Sequence, residues 1–253
     1  LIIRDGTYNT SADVIDLSHQ PPKSSTLWTT IKAENDGAVF FGNADTSTSQ
    51  EMFYASSAGN AHWIFEGITW FGGTYVGTAS YIKFLRCGSG TNVVDVGGGF
   101  IPFLSNSSSY LLYEDCHAWG GGRYKFSAYL SDHVIYRRCV GRLDAINTLH
   151  DTTKYEPVGG FSIYGSSYCE IQNCIIIDSD VIDYWAYEST PGAFITPNGT
   201  GSNNRFVGCI GLKIDIPGGG SASGYTDTLR ENCVHWDMMR SAIYGGETNF
   251  DHC

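Results

Sequence analysis

Long apolar runs are missing from this 253-residue chain; no stretch of 18 apolar residues occurs, which excludes a helical membrane span. Amphipathic helices are missing too. No dozen residues hold an i, i+3, i+4 apolar pattern, and clusters such as Gly97-Gly98-Gly99, Gly120-Gly121-Gly122 and Gly218-Gly219-Gly220 break helices and mark loops. Basic residues are few. Fifteen Lys and Arg against 26 Asp and Glu leave a formal net charge of −11, which argues against a nucleic-acid backbone or an anionic membrane as main partner. The same sign disfavours a highly anionic polysaccharide unless Ca²⁺ bridges the two or a local basic patch overrides the total. None of the eight cysteines forms a Cys-x-x-Cys pair and no His stands at a zinc-type spacing, so neither structural zinc nor a haem attachment is expected. Asp5-Gly6, Asp36-Gly37 and Asn198-Gly199 are hairpin-type dipeptides, but they do not join neighbouring copies of the repeat described next, which disfavours an all-β sandwich.

What is present is one short phrase, repeated. It reads Phe84-Leu85-Arg86-Cys87, Tyr113-Glu114-Asp115-Cys116, Tyr136-Arg137-Arg138-Cys139, Ile171-Gln172-Asn173-Cys174, Phe206-Val207-Gly208-Cys209, Arg230-Glu231-Asn232-Cys233 and Phe250-Asp251-His252-Cys253. Phe65-Glu66-Gly67-Ile68 is an earlier copy with Ile in the Cys slot, and the copies recur at irregular intervals of 19–35 residues. Such spacing marks a solenoid whose coils carry loops of variable length. Trp63, Ile82, Leu111, Val134 and Cys169 stand two positions before the large residue that opens the phrase, so the alternation is that of a short strand with one buried face. The residue before the Cys is often Gly, Asn or Asp, which tolerate left-handed backbone, and a tight corner is expected there. The Cys then points inward at the start of the next strand, as a small core residue. The expected unit is therefore strand, corner, strand, loop, with an inward ladder of Cys87, Cys116, Cys139, Cys174, Cys209, Cys233 and Cys253. Leu1-Ile2-Ile3, Val14-Ile15-Asp16-Leu17, Trp28-Thr29-Thr30-Ile31 and Val39-Phe40-Phe41 are expected to add coils at the N-terminal side. Coils about 4.8 Å apart place adjacent ladder cysteines near the short end of disulfide reach. Both a bridged ladder and a ladder of buried free thiols fit this spacing, while the inward position argues against a catalytic Cys.

With the repeated strand–corner–Cys phrase, and with the opening Leu1-Ile2-Ile3-Arg4-Asp5-Gly6-Thr7-Tyr8-Asn9, the chain resembles the right-handed parallel β-helix superfamily, the pectin-lyase-like fold. The opening looks most like the first coil of the branch near the alginate lyases and chondroitinase B. The resemblance implies an all-β, right-handed parallel β-helix over residues 1–253 as one domain, and an extracellular or cell-surface location. The chain opens inside a strand pattern and closes inside a copy of the phrase, so it is expected to be a segment of a longer protein or to be capped by neighbours. Activity is not implied, because the superfamily holds lyases, hydrolases, esterases, tailspikes and adhesins. The Asn-Thr-Asp, Asp-Asp and Gly-His-Gly set of polygalacturonases is absent, as are the Arg-x-Pro-x-x-Arg of pectate lyases and a clear match to the calcium ligands of the alginate lyase branch. No catalytic residue is carried over. Lyases of this fold abstract a proton beside a uronate carboxylate with Arg or Lys. By that analogy Arg123 and Lys125, expected on one side of a strand, and His133 are the catalytic candidates, next to Arg137 and Arg138.

The remaining polar residues sort by position. Glu114 and Arg137 are expected outside, one coil apart, as are Arg86, Asp115 and Arg138 at the corner; their alternating signs read as ion pairs between coils. Insertions are expected from Val140 to Gly160, with Arg142, Asp144, His150, Asp151, Lys154 and Glu156, and from Asp178 to Pro197. Asp183, Tyr184, Trp185, Tyr187 and Glu188 in the second insertion combine carboxylates with aromatic rings and are the carbohydrate-binding candidates. Asp178, Asp180 and Asp183 there offer hard oxygens to Ca²⁺, the one ion considered; no other cofactor is expected. Asn9-Thr10-Ser11, Asn106-Ser107-Ser108 and Asn198-Gly199-Thr200 fit the glycosylation sequon. The favoured function is an extracellular structural or interaction β-helix, a fibre, surface, adhesin or tailspike-like component with carbohydrate or its own coil ends as partner. The alternative is a lyase acting on an acidic polysaccharide by Arg/Lys-assisted β-elimination.

Overall fold

A computed structural model describes residues 1–9, 15–18, 27–43, 51–91, 100–143, 159–178, 192–196, 201–212, 228–236 and 248–251. The chain winds through successive coils. The first holds β1 (Ile2–Ile3) and β2 (Gly6–Tyr8), and the second β3 (Ile15–Asp16), β4 (Thr29–Ala33) and β5 (Val39–Gly42). Then follow β6 (Glu51–Glu66) with β7 (Ile68–Phe71), and β8 (Gly73–Leu85) with β9 (Gly88–Gly90). Three coils of three strands come next: β10 (Phe103–Asn106), β11 (Ser109–Glu114), β12 (His117–Trp119); β13 (Tyr124–Tyr129), β14 (Asp132–Arg137), β15 (Val140–Leu143); β16 (Gly159–Tyr164), β17 (Glu170–Gln172), β18 (Ile175–Asp178). The chain continues through β19 (Gly192–Ile195), β20 (Asn204–Val207), β21 (Ile210–Leu212), β22 (Thr228–Glu231), β23 (Val234–Trp236) and β24 (Thr248–Asp251). Every strand pairs in parallel with its counterpart one coil away. This is a parallel β-helix.

Three sheets wrap one core. The first runs through β10, β13, β16 and β19, the second through β11, β14, β17, β20, β22 and β24, and the third through β2, β5, β7, β9, β12, β15, β18, β21 and β23. The long strands β6 and β8 bend from the first sheet into the second, so the two are hydrogen-bonded as one. The repeated phrase covers only the second and third sheets. The first sheet was not expected, because its alternation is hidden: β13 and β16 are buried at five of six positions each. A second phrase nevertheless runs through it, in Phe103-Leu104-Ser105-Asn106-Ser107-Ser108, Phe126-Ser127-Ala128-Tyr129-Leu130-Ser131 and Phe161-Ser162-Ile163-Tyr164-Gly165-Ser166.

The corner before the Cys is left-handed, as its composition suggested. Gly67, Arg86, Asp115, Arg138, Asn173, Gly208 and Asn232 all have φ between 52° and 71°. For Arg86 and Arg138 this conformation costs on the order of 1–2 kcal/mol. The offset is visible in the hydrogen bonds. The corner amide of Arg86 donates to the Glu114 carbonyl at 2.9 Å and that of Arg138 to Gln172 at 2.9 Å, toward the following coil. Two residues on, the amide of Val140 donates back to Cys116 at 2.9 Å and that of Ile175 to Cys139 at 2.9 Å. The chain therefore turns between sheets without leaving the ladder.

Inside, like stacks on like. Phe84, Tyr113 and Tyr136 stack at 5.0 Å intervals, and Phe103, Phe126, Phe161 and Phe194 at 4.6–5.5 Å. Cys87, Cys116, Cys139, Cys174, Cys209 and Cys233 are buried free thiols, and Ile68 fills the same slot. Each thiol donates to a carbonyl of the preceding coil, Cys116 to Phe84 at 3.4 Å and Cys139 to Tyr113 at 3.3 Å. Burial raises the thiols of Cys116, Cys174 and Cys209 and pushes Cys169 up to about 12. Between the first and second sheets a buried serine ladder caps the turn amides. Ser108 N–H donates to Ser131 Oγ at 3.1 Å, and Ser131 N–H to Ser166 Oγ at 2.9 Å. Cys253 lies outside the described residues.

Candidate functional site

The outer face of the second sheet carries the side chains able to meet a partner. Positions six before Ile68, Cys87, Cys116, Cys139 and Cys174 bring His62, Tyr81, Tyr110, His133 and Tyr168 into one row, at the start of the strand. Each holds φ between 52° and 62° at the bend; Tyr81, Tyr110, His133 and Tyr168 reach solvent at least in part, while His62 at the end of the row is buried. The rings stack coil on coil: His62 on Tyr81 at 4.7 Å, Tyr81 on Tyr110 at 5.0 Å and 2°, Tyr110 on His133 at 4.7 Å, His133 on Tyr168 at 5.0 Å. Trp28 meets His62 edge-on at 5.3 Å, and the Lys83 ammonium sits over the Trp28 ring at 4.4 Å. His133 Nδ1 is 2.7 Å from the Asp132 carboxylate. The row is a ridge, with Tyr110 and Tyr168 about half exposed.

Beside the ridge run Lys83, Leu112, Ile135, Glu170 and Arg205, and then Glu66, Leu85, Glu114, Arg137, Gln172 and Val207. The charges here pair between coils, as the sequence suggested. Arg137 donates to both oxygens of Glu114, at 3.0 and 2.8 Å, and Arg138 to both oxygens of Asp115, at 2.8 and 2.9 Å. Arg138 also reaches Glu114, and Arg86 bridges Asp36 and Glu66. Hydrogen bonds from Arg137 hold the Glu114 carboxyl below the usual carboxylate range, and those from Arg138 do the same for Asp115. The third sheet differs outside. Val140, Ile175, Ile210 and Val234 share one register column, with Ile177 and Leu212 alongside; Ile177 and Val234 are exposed.

Arg123 and Lys125 do not share a face. Arg123 precedes β13 and is exposed, its guanidinium 5.3 Å from the Tyr124 ring. Lys125 is fully buried, and its ammonium donates to the carbonyls of Gly121 at 2.7 Å and Gly122 at 3.4 Å. The glycine cluster is tight packing rather than a pliant loop. A Cβ at Gly120, where φ is +86°, would lie 2.0 Å from the Thr91 carbonyl oxygen, and one at Gly122 would lie 2.6 Å from that of Phe100. His133 belongs to the ridge, on another sheet from Lys125. Asp183, Tyr184, Trp185, Tyr187 and Glu188 lie outside the described residues, as do Asp144, His150, Asp151, Lys154 and Glu156. Among the described residues no group of three or more His, Cys, Asp and Glu could hold a metal ion.

The alternation of the Cys phrase extends five residues before the Cys and stops short of the ridge, whose signal lies one position earlier, where Tyr81, Tyr110, His133 and Tyr168 recur. Chemically the ridge offers edges, not faces. Each inner ring has a neighbour on both faces, so what remains for a partner is a row of ring edges, hydroxyls and imidazole nitrogens at the coil repeat, about 4.8 Å.

No protein-family model matches the chain, and no curated protein does. A solved structure with a similar backbone course is that of pectate lyase Pel9A, at 14% identity and a TM-score of 0.46, covering 88% of this chain and 69% of that one.

Proposed function

We propose that the chain is a structural and interaction segment of an extracellular β-helix, part of a fibre, surface layer or adhesin-like shaft, rather than an enzyme. The observation that carries this reading is the fate of the outer charges. Glu114, Asp115, Arg137 and Arg138 are engaged with one another across coils, so they fasten the stack. Two features support a binding role along the shaft. The ridge from Tyr81 to Tyr168 presents polar edges at a fixed repeat, which suits a partner with a repeat of its own, a polysaccharide or a further copy of the chain. The aliphatic column from Val140 to Val234 adds an apolar strip on another side. Electron microscopy of the natively purified protein tests the reading. Filaments or shafts whose repeat matches stacked coils are expected. Discrete particles that release unsaturated uronate from an acidic polysaccharide, read by absorbance with and without Ca²⁺, would overturn it.

A further inference from the structure

Three pairs of tyrosines on the outer surface are stacked one coil apart. Tyr54 faces Tyr75 at 5.1 Å, Tyr81 faces Tyr110 at 5.0 Å, and Tyr129 faces Tyr164 at 4.9 Å. Each pair is held in register by the backbone ladder on its strand, Tyr54 opposite Tyr75 and Tyr129 opposite Tyr164, while Ser80–Ser109 and Ile82–Leu111 flank Tyr81 and Tyr110. Tyr110 is 48% exposed and Tyr129 38%, and their partners are half-buried. A fourth pair provides a control within the same molecule. Tyr113 and Tyr136 stack at the same 5.0 Å but are completely buried, and burial holds both phenols well above their ordinary range.

We infer that Tyr81–Tyr110 and Tyr129–Tyr164 are sites of oxidative cross-linking, forming dityrosine staples between consecutive coils. The co-reactant is a peroxide with a one-electron oxidation catalyst. Each phenol gives up one electron and its proton, and the two phenoxyl radicals join through the ring carbons ortho to oxygen. Each ortho hydrogen then moves to the oxygen of its own ring by tautomerisation, which restores both phenols. The two hydrogen atoms removed in total, with one hydrogen peroxide, yield two waters, so atoms and electrons balance. The β-helix supplies what free tyrosines lack: two rings already face to face, at a separation fixed by the strand repeat. The surface position supplies access for the oxidant. The product is an intramolecular bridge spanning the residues between the partners, which closes a loop in the unfolded chain and restricts that state.

The test is treatment of the whole protein with hydrogen peroxide and a haem peroxidase, and separately with hydrogen peroxide and a small haem catalyst that reaches recessed edges. Dityrosine fluorescence is expected in monomeric protein, at a yield independent of protein concentration. Peptide mapping should recover Tyr81 joined to Tyr110 and Tyr129 joined to Tyr164, each with a mass loss of two hydrogen atoms, and no bridge between Tyr113 and Tyr136. Y110F should abolish the first bridge and leave the second, and Y129F the reverse, which separates a local effect from loss of fold. Bridges found only between molecules, or only in unfolded protein, would overturn the inference. So would a Tyr113–Tyr136 bridge appearing in equal yield.

Discussion

The inner and outer ring stacks of this β-helix share one geometry and differ in almost everything else. Phe84, Tyr113 and Tyr136 stack at 5.0 Å inside the core; a few residues away Tyr81 and Tyr110 stack at 5.0 Å in contact with solvent. The spacing is therefore imposed by the backbone, which repeats every strand width, and is no measure of what the rings contribute. Burial decides that. An inner ring removes its full apolar surface from water, and an outer ring only part of it.

The largest contrast is expected on truncation. Phe126→Ala removes a fully buried ring lying between Phe103 and Phe161 and should cost about 3–5 kcal/mol. Tyr110→Ala, on the ridge, should cost about 1 kcal/mol. Both are read from denaturant midpoints, and similar losses would refute the idea that burial rather than stacking sets the stability.

A finer contrast lies between two coils of the core. The Tyr113 hydroxyl bonds Ser105 at 2.9 Å, whereas one coil on Ala128 takes the place of Ser105 and the buried Tyr136 hydroxyl makes no comparable hydrogen bond among the described residues. Tyr113→Phe should cost about 1 kcal/mol, and Tyr136→Phe should be neutral or stabilising. A loss of stability in Tyr136→Phe equal to that in Tyr113→Phe would show that Tyr136 has a partner after all.

The smallest effect belongs to the outer ion pairs. Glu114 and Asp115 have folded pKa values below their unfolded ones, so their contribution is present above the ordinary carboxylate range, about 4. It fades as pH falls through the lower folded values. Arg137→Met should lower stability at neutral pH by at most about 1 kcal/mol, less in high salt, and should flatten the acid limb of the stability profile. An unchanged acid limb would mean that the pair is spectator to the fold.

Much of this was legible because a solenoid writes its repeat into the chain. The Cys slot, the large inner residue and the left-handed corner stand at fixed offsets, and Glu114–Arg137 and Asp115–Arg138 follow from those offsets alone. The first sheet was less legible, because β13 and β16 are covered on both faces and lose the alternation that marks a strand. Lys125 was misplaced for a related reason. Two residues after Arg123 it was expected on the same face, but β13 starts between them and takes Lys125 into the interior, where backbone carbonyls of Gly121 and Gly122 replace water around its ammonium.

The amino-acid sequence by itself determined that the chain coils, which residues of the repeated phrase turn inward, and that Glu114–Arg137 and Asp115–Arg138 meet on neighbouring coils. These depend on period and offset, which are local. Only the tertiary structure decided that aromatic residues six before the Cys slot in successive coils stack into a partly exposed ridge, that serines cap the turn amides of the next coil, and that the glycine cluster is a packed contact holding a buried lysine. Those outcomes depend on how one coil lies against another, on backbone bends of a few residues and on whether a face is covered, and no spacing along the chain encodes what covers it.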